Sequence, residues 1–209
     1  MPAFETLVAF AAATFLFAYM PGPALLYTAA QTISRGRAAG LWAALGIHVG
    51  CYGHVFAAAF GLSAIFTAVP TLYAALKLIG GAYLIWLGYQ MIRSKVTAGP
   101  DVKLPASTRR KAFVDSVLVE LLNPKVAVFF IAFLPQFVSE EASLPIWAQF
   151  VILGTLVNMT FTSADLFVVM FATQVKKRLT GTTRWQHITR WAGGTLLMGL
   201  GLKLAAERG

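Results

Sequence analysis

Charged side chains inside long apolar stretches are the positions at which this chain could do chemistry. Glu120, Lys125 and Asp165 each lie within such a stretch. Because burial of an ionisable group in hydrocarbon is expensive, each is a functional candidate by default. The predicted spans place the two acids at similar depth, facing one cavity, where they could carry protons or pair with an ammonium group. Lys125 could balance an acid or meet a carboxylate, and the alternative for all three is a structural ion pair.

Prolines interrupt two of the apolar stretches, at Pro21-Gly22-Pro23 and at Asn123-Pro124. Each proline removes a helical hydrogen bond, so Pro21 frees the carbonyl of Phe17 and Pro124 frees that of Glu120. Free backbone groups at membrane depth are tolerated where they line a cavity, and a half-helix that begins there directs N–H groups into it. Such an end suits a carboxylate, and an ordinary kink is the alternative. The predicted ligand-binding residues are Pro21, Gly22, Pro23, Asn123, Pro124 and Lys125.

His54 flanks a stripe of small residues with helical spacing. The stripe consists of Gly46, Gly50, Gly53, Ala57 and Gly61. Small residues let helices approach closely, so the stripe predicts helix packing and places His54 toward the other helices. His54 is a possible titrating group, and a hydrogen-bonded structural histidine is the simpler interpretation. His48 lies on a different helix face, so neither a metal site nor a cofactor is predicted.

The composition places these residues in a membrane protein. The 209 residues are 58% hydrophobic and only 12% charged, with a mean hydropathy of +0.71, whereas a soluble domain is about 25% charged. This composition excludes a soluble enzyme, a nucleic-acid-binding domain and a disulfide scaffold, and Cys51 is the only cysteine. The net charge of +9 predicts no nucleic-acid partner, because the basic residues are concentrated in loops.

Six apolar runs predict an all-α integral membrane protein, since about 20 apolar residues cross a bilayer as a helix. The runs are 4–33, 39–68, 73–92, 112–138, 145–173 and 191–206. Glu5 and the lack of a basic N-terminal region favour a retained first helix over a cleaved signal. Most lysines and arginines lie in the first, third and fifth loops. The positive-inside rule therefore predicts an inner-membrane protein with both termini outside.

The halves of the chain share features that predict a duplicated three-helix unit. Gly80-Gly81 with Gly88 in the third span corresponds to Gly193-Gly194 with Gly201 in the sixth, and the first and fourth spans are both broken by proline. We expect one transmembrane domain, with repeat 1 at about 1–93, a cytoplasmic linker at about 94–111 and repeat 2 at about 112–209. A three-span repeat must be inverted relative to its copy, and inverted repeats with broken helices are typical of transporters.

Several motifs occur in order along the chain. Met20-Pro21-Gly22-Pro23 is followed by 35–41, 46–50 and 76–88, and then by Asn123-Pro124-Lys125 and 133–137. Together these motifs resemble the LysE/RhtB family of amino-acid exporters, within the LysE superfamily. The resemblance implies export of amino acids or similar small metabolites, driven by the proton gradient.

The favoured interpretation is therefore a secondary exporter that works by alternating access. It exchanges substrate for protons, with Glu120 and Asp165 as the proton-coupling residues. Its predicted partners are an amino-acid substrate, protons and the lipid bilayer, and a homodimer is compatible with the sequence. A metal-cation exporter of the wider superfamily is the main alternative, and a structural membrane scaffold is another. An intramembrane enzyme is disfavoured, because Ser163 and Asp165 lie two positions apart and do not face each other. The sequence contains no nucleotide-binding loop.

Overall fold

The computed structural model describes residues 4–68, 70–93 and 108–171, together with 191, 194, 195, 198, 199 and 202. Every regular element in these ranges is helical, as the sequence predicts. The elements are α1 (Phe4–Tyr19), α2 (Pro23–Arg35), α3 (Arg37–Phe56), a π-helical segment (Ala57–Leu62), α4 (Ser63–Ala68), α5 (Pro70–Arg93), α6 (Arg109–Leu121), α7 (Pro124–Ala132), a short 3-10 helix (Leu134–Phe137) and α8 (Ile146–Met170). Most of the predicted sixth span and most of the predicted linker lie outside the described residues.

The two predicted breaks have nearly the same geometry. The axis bends by 46° between α1 and α2 and by 45° between α6 and α7. Gly22 and Asn123 are extended, with φ/ψ of −133°/178° and −77°/103°, and each precedes the proline that begins the next helix. A residue before proline is disfavoured in the helical region, whereas proline itself suits the first helical position. Each break therefore ends one helix and starts another.

The described helices include between two and four candidate membrane spans. Arg37–Ile65 and Ile146–Met170 are each long and apolar enough to cross a bilayer, and the two bent pairs qualify if each is counted as one span. Large apolar side chains such as Phe60, Trp147 and Met159 are exposed on these helices. Exposed apolar surface of this extent suits contact with lipid. Helix α5 covers the predicted third span.

Helix α3 packs most extensively on α6, and glycines of the predicted stripe lie at the contact. A Cβ added at Gly50 would lie 2.8 Å from the Val117 carbonyl oxygen and 2.9 Å from Cβ of Glu120, and one added at Gly46 would overlap the carbonyl of Phe113. The packing role is confirmed for these two glycines, and their close approach fixes the position of Glu120. An added Cβ at Gly61 would meet none of the described residues within 4 Å, so no packing contact is found at that end of the predicted stripe in the part of the chain that the structure describes.

Gly50→Ala is expected to lower the thermal stability of the purified protein, because the new methyl group meets a backbone carbonyl that cannot rotate away. Overpacking of this kind costs about 1–3 kcal/mol. Gly61→Ala is the matched control, and it should be neutral or slightly stabilising, since alanine is the better helix former. Unfolding of both variants in detergent, followed by circular dichroism, checks the expectation. Equal midpoints for the two variants would contradict close packing at Gly50.

Two of the glycines shared by the third and sixth predicted spans, Gly88 and Gly194, also lie at a helix contact. A Cβ added at Gly88 of α5 would lie 2.8 Å from Cγ of Met198, and one added at Gly194 would lie 2.7 Å from the Gly88 carbonyl oxygen. The small residues thus let α5 approach the described part of the last apolar run. Gly88 and Gly194 thus each have a packing role, one in each half of the chain.

Candidate functional site

One buried cavity lies where the two breaks meet. Its lining is drawn from both bent pairs and from α3 and α8, and consists of Phe17, Ala18, Gly22, Ala24, Leu25, Ile47, Glu120, Asn123, Lys125, Val126, Phe161 and Asp165. The volume open to the centre of a water molecule is about 30 Å³, which is room for one or two waters. The breaks and the charged residues predicted from the sequence are therefore brought together at one small cavity.

Lys125 joins the second break to the first. Its Nζ donates hydrogen bonds to the carbonyl of Phe17 at 2.9 Å and to that of Met20 at 2.7 Å, and it lies 4.4 Å from the centre of the Phe17 ring. Pro21 removes the i+4 donor of the Phe17 carbonyl, which also accepts a bond from the N–H of Met20 at 3.3 Å. Among the described residues, no carboxylate lies within ion-pair distance of this ammonium. Lys125 thus satisfies freed backbone instead of pairing with an acid.

Glu120 is fully buried at the end of α6. The Asn123 side-chain amide donates to Oε2 of Glu120 at 3.1 Å, but Oε1 has no hydrogen-bond partner among the described residues. The backbone carbonyl of Glu120, whose i+4 donor Pro124 removes, accepts from the N–H of Asn123 at 3.0 Å and lies 2.8 Å from Nε2 of His54. Since a carbonyl only accepts, this ring nitrogen is the donor. His54 therefore has the structural hydrogen bond that the simpler interpretation predicts.

Asp165 supplies the second acid from α8. Its side chain is only 3% exposed, and Oδ1 has no hydrogen-bond partner in the described part of the chain. The Thr28 hydroxyl of α2 lies beside this carboxyl group without reaching hydrogen-bond geometry. A buried acceptor that lacks a donor is costly, so both acids can accept a proton or a donor group from a ligand.

The helix ends at the two breaks differ in their capping. Oδ1 of Asn123 accepts a hydrogen bond from the backbone N–H of Lys125 at 3.1 Å, so the N-terminus of α7 has a side-chain cap. Gly22 at the N-terminus of α2 provides no such cap, and Ala24 and Leu25 of that first turn line the cavity. The sequence predicts both ends as anion sites. In the structure, the N-terminus of α2 has no side-chain cap, so its first-turn N–H groups are more available to a ligand than those of α7.

A cluster of phenylalanines extends from the cavity along α1 and α7. Phe17 stacks on Phe129 at 4.2 Å between ring centroids, and Phe129 stacks on Phe133 at 4.4 Å. The cluster continues to Phe10 and Phe137. The sequence analysis does not identify this cluster, although the spacing of 129, 133 and 137 places three of its rings on one helix face. Of these rings, Phe17 lines the cavity, so the cluster is continuous with the cavity wall.

The remaining candidates lie around the cavity without lining it. The rings of Pro21, Pro23 and Pro124 are exposed and set the backbone of the breaks. His48 lies 2.7 Å from the Thr162 hydroxyl and is separate from His54. Within the described ranges, no three potential metal ligands among His, Cys, Asp and Glu form a group.

Broken apolar helices that meet at a buried, charged cavity are the architecture of a membrane transport protein. The chain belongs to the LysE type translocator family, whose model matches residues 15–208. The resemblance drawn from the motifs is thereby confirmed.

Named relatives match nearly the whole chain. It is 28% identical over 209 residues to the homoserine/homoserine lactone efflux protein of Salmonella typhimurium, with 98% of each chain covered. It is 27% identical over 197 residues to the threonine efflux protein of Escherichia coli, covering 90% of this chain and 91% of that one. The leucine efflux protein of Enterobacter is 28% identical over 196 residues, covering 92% and 91%. No solved structure matches significantly. The chain is thus a membrane exporter by family, and not an enzyme.

Proposed function

We propose that this protein exports amino acids across the inner membrane in exchange for protons, by alternating access at the cavity between the breaks. The observation that carries the proposal is the meeting of both broken helices at one cavity. Two buried acids with unpaired oxygens and one lysine lie there. Such a site offers complementary charge to both ends of an amino acid.

The ligands in the relatives' names favour recognition of the ammonium group. Homoserine, threonine and leucine carry an ammonium and a carboxylate, whereas homoserine lactone has closed its carboxylate into a ring and keeps the amine. The free carboxylate is therefore not shared by every ligand named. In the cavity, oxygen acceptors suit an ammonium group, and the uncapped first turn of α2 suits a carboxylate.

Alternating access requires the cavity to open, because its present volume holds about one or two waters. The proposed topology has six spans arranged as two inverted repeats, with both termini outside. In that topology, the phenylalanine cluster lies between the cavity and the outer face. The helices must then separate on one side at a time, and proton uptake by an acid from outside would reset the carrier.

Flux measurements in proteoliposomes test the proposed function. Vesicles loaded with radiolabelled L-homoserine, L-threonine or L-leucine should release at least one of them when an inward proton gradient is applied. Protein-free vesicles that carry the same labelled amino acids give the background release. Metal-ion flux without amino-acid flux would instead support the metal-cation exporter, and the absence of all flux would contradict an exporter of either kind.

The proposed topology predicts that Ala3 and Ala98 lie on opposite sides of the membrane. Single cysteines at these positions, in a Cys51→Ala background, should react with an impermeant thiol reagent from opposite faces in intact cells and inverted vesicles. Cys51 itself is fully buried, so its replacement removes only a residual signal. Reaction of both new cysteines from the same face would refute the topology.

A further inference from the structure

Lys125 occupies a position that is built for an ammonium group. We propose that the carbonyls of Phe17 and Met20, with the face of the Phe17 ring, form the ammonium subsite of the substrate, and that Lys125 is its internal occupant in the empty carrier. The arriving substrate ammonium then displaces the lysine. This inference rests on the proposed function and names the groups that bind one end of its substrate.

The geometry of the first break matches what an ammonium requires. An ammonium has three donors and no acceptor. Two carbonyl oxygens lie at 2.9 Å and 2.7 Å from Lys125 Nζ, and the Phe17 ring offers its electron-rich face at 4.4 Å. Pro21 removes the i+4 donor of the Phe17 carbonyl, which keeps a bond from the N–H of Met20 at 3.3 Å and has a second lone pair for an ammonium. A primary ammonium of any origin could make the same contacts.

The lysine is attached so that it can leave this subsite. It reaches from α7 across to the first break on a flexible stem, and it passes directly over Gly22, where an added Cβ would lie 2.7 Å from its Cδ. A side chain at position 22 would therefore obstruct the lysine. Among the described residues, the direct contacts of the ammonium are hydrogen bonds to two neutral carbonyls and a ring contact, so a free ammonium with the same contacts can compete with it.

The displaced lysine has acceptors within the same cavity. Glu120 Oε1 and Asp165 Oδ1 are buried without hydrogen-bond partners in the described ranges, and both residues line the cavity together with Lys125. An ammonium placed beside a carboxyl group favours its ionised form. Substrate entry would thus move Lys125 toward an acid and release that acid's proton. Binding of substrate and loss of a proton become linked, as antiport requires.

Lys125→Met tests the subsite directly, because methionine keeps the stem but cannot occupy an ammonium site. Binding to the purified protein is measured by calorimetry with three ligands: the amino acid that the wild type transports best, the amine that lacks only its carboxylate, and the α-hydroxy acid that lacks only its ammonium. The amino acid and the amine should bind about tenfold tighter, since the competing occupant is gone. The hydroxy acid should be unaffected, and accumulation against a gradient should be lost.

Other functions of Lys125 give different patterns. If Lys125 binds the substrate carboxylate, Lys125→Met weakens the binding of the amino acid and of the hydroxy acid but not the binding of the amine. If the lysine only holds the two breaks together, Lys125→Met lowers the affinity for all three ligands and the thermal stability of the protein together. Either pattern, or unchanged binding of all three ligands, overturns the proposal. Lys111→Met, at an exposed lysine of α6, is the control for removal of a positive charge.

Gly22→Ala provides a second variant that keeps the charge. Its methyl group should push the Lys125 stem out of the break, so the amine should again bind more tightly than to the wild type. Unchanged or weaker binding of the amine, in a variant that unfolds like the wild type, counts against the subsite. Failure of the proposed function is a separate result, because the wild-type protein would then exchange none of the amino acids.

Discussion

Glu120→Gln and Asp165→Asn are expected to separate export from the proton gradient, and at least one of them should abolish uphill transport. Both side chains keep their shape but lose the ability to change charge. Without a coupling free energy between proton and substrate, the accumulation ratio should fall to about one. Downhill exchange of labelled for unlabelled amino acid should persist in part. Proteoliposomes with and without an imposed pH gradient measure both quantities.

The local contacts make these substitutions informative about coupling and not only about folding. The Asn123 amide donates to Oε2 of Glu120, and a glutamine carbonyl at position 120 can accept the same bond. The other oxygen of Glu120, and Oδ1 of Asp165, have no partner within the described part of the chain that the change would break. The neutral variants should therefore insert and purify as the wild type does.

Asp115→Asn is the matched control, since Asp115 lies on the same helix as Glu120 but does not line the cavity. It should retain gradient-driven accumulation. If Glu120→Gln and Asp165→Asn are both well expressed and still concentrate substrate, neither acid carries the coupling proton. If the two variants instead fail to accumulate in the membrane, the structural alternative for the acids is favoured.

The sequence identifies the breaks because their cause is local. A residue before proline is pushed out of helical geometry in any surroundings, so Gly22 and Asn123 could be placed as chain breaks. The carbonyls freed at Phe17 and Glu120 follow from the same rule. The sequence could not predict which donors would satisfy them. Each carbonyl accepts a local backbone bond, and the additional donors, Lys125 and His54, reach it from other helices. That choice depends on packing.

The sequence also identifies each acid as a candidate, but it does not predict the contacts that each acid makes. Glu120 and Asp165 stand out because a charge in an apolar stretch is rare, and both were expected to face one cavity. Their unpaired oxygens and the absence of an ion pair with Lys125 depend on side-chain geometry across α6, α7 and α8. The preference of the lysine for carbonyls over acids is the feature that a charge count would not predict.

Closing either break is expected to stop transport without unfolding the protein. In Pro21→Ala/Pro23→Ala, residues on both sides of Gly22 can take helical geometry, and the N–H at position 21 can again bond the Phe17 carbonyl. Both prolines must change, because either one alone still excludes its preceding residue from the helix. Asn123→Ala/Pro124→Ala removes the cap and the proline of the second break in the same way. For each double variant, amino-acid exchange in proteoliposomes should fall to the level measured in protein-free vesicles.

The direction of the stability change distinguishes a closed break from a damaged fold. A proline inside a helix costs about 3 kcal/mol, so a continuous helix should unfold at the same temperature as the wild type or higher, with increased helical content by circular dichroism. Pro145→Ala, at the exposed start of α8, is the proline control and should retain transport. If the double variants gain helix and still exchange amino acids at the wild-type rate, the substrate does not bind at the breaks and the cavity between them is not the transport site.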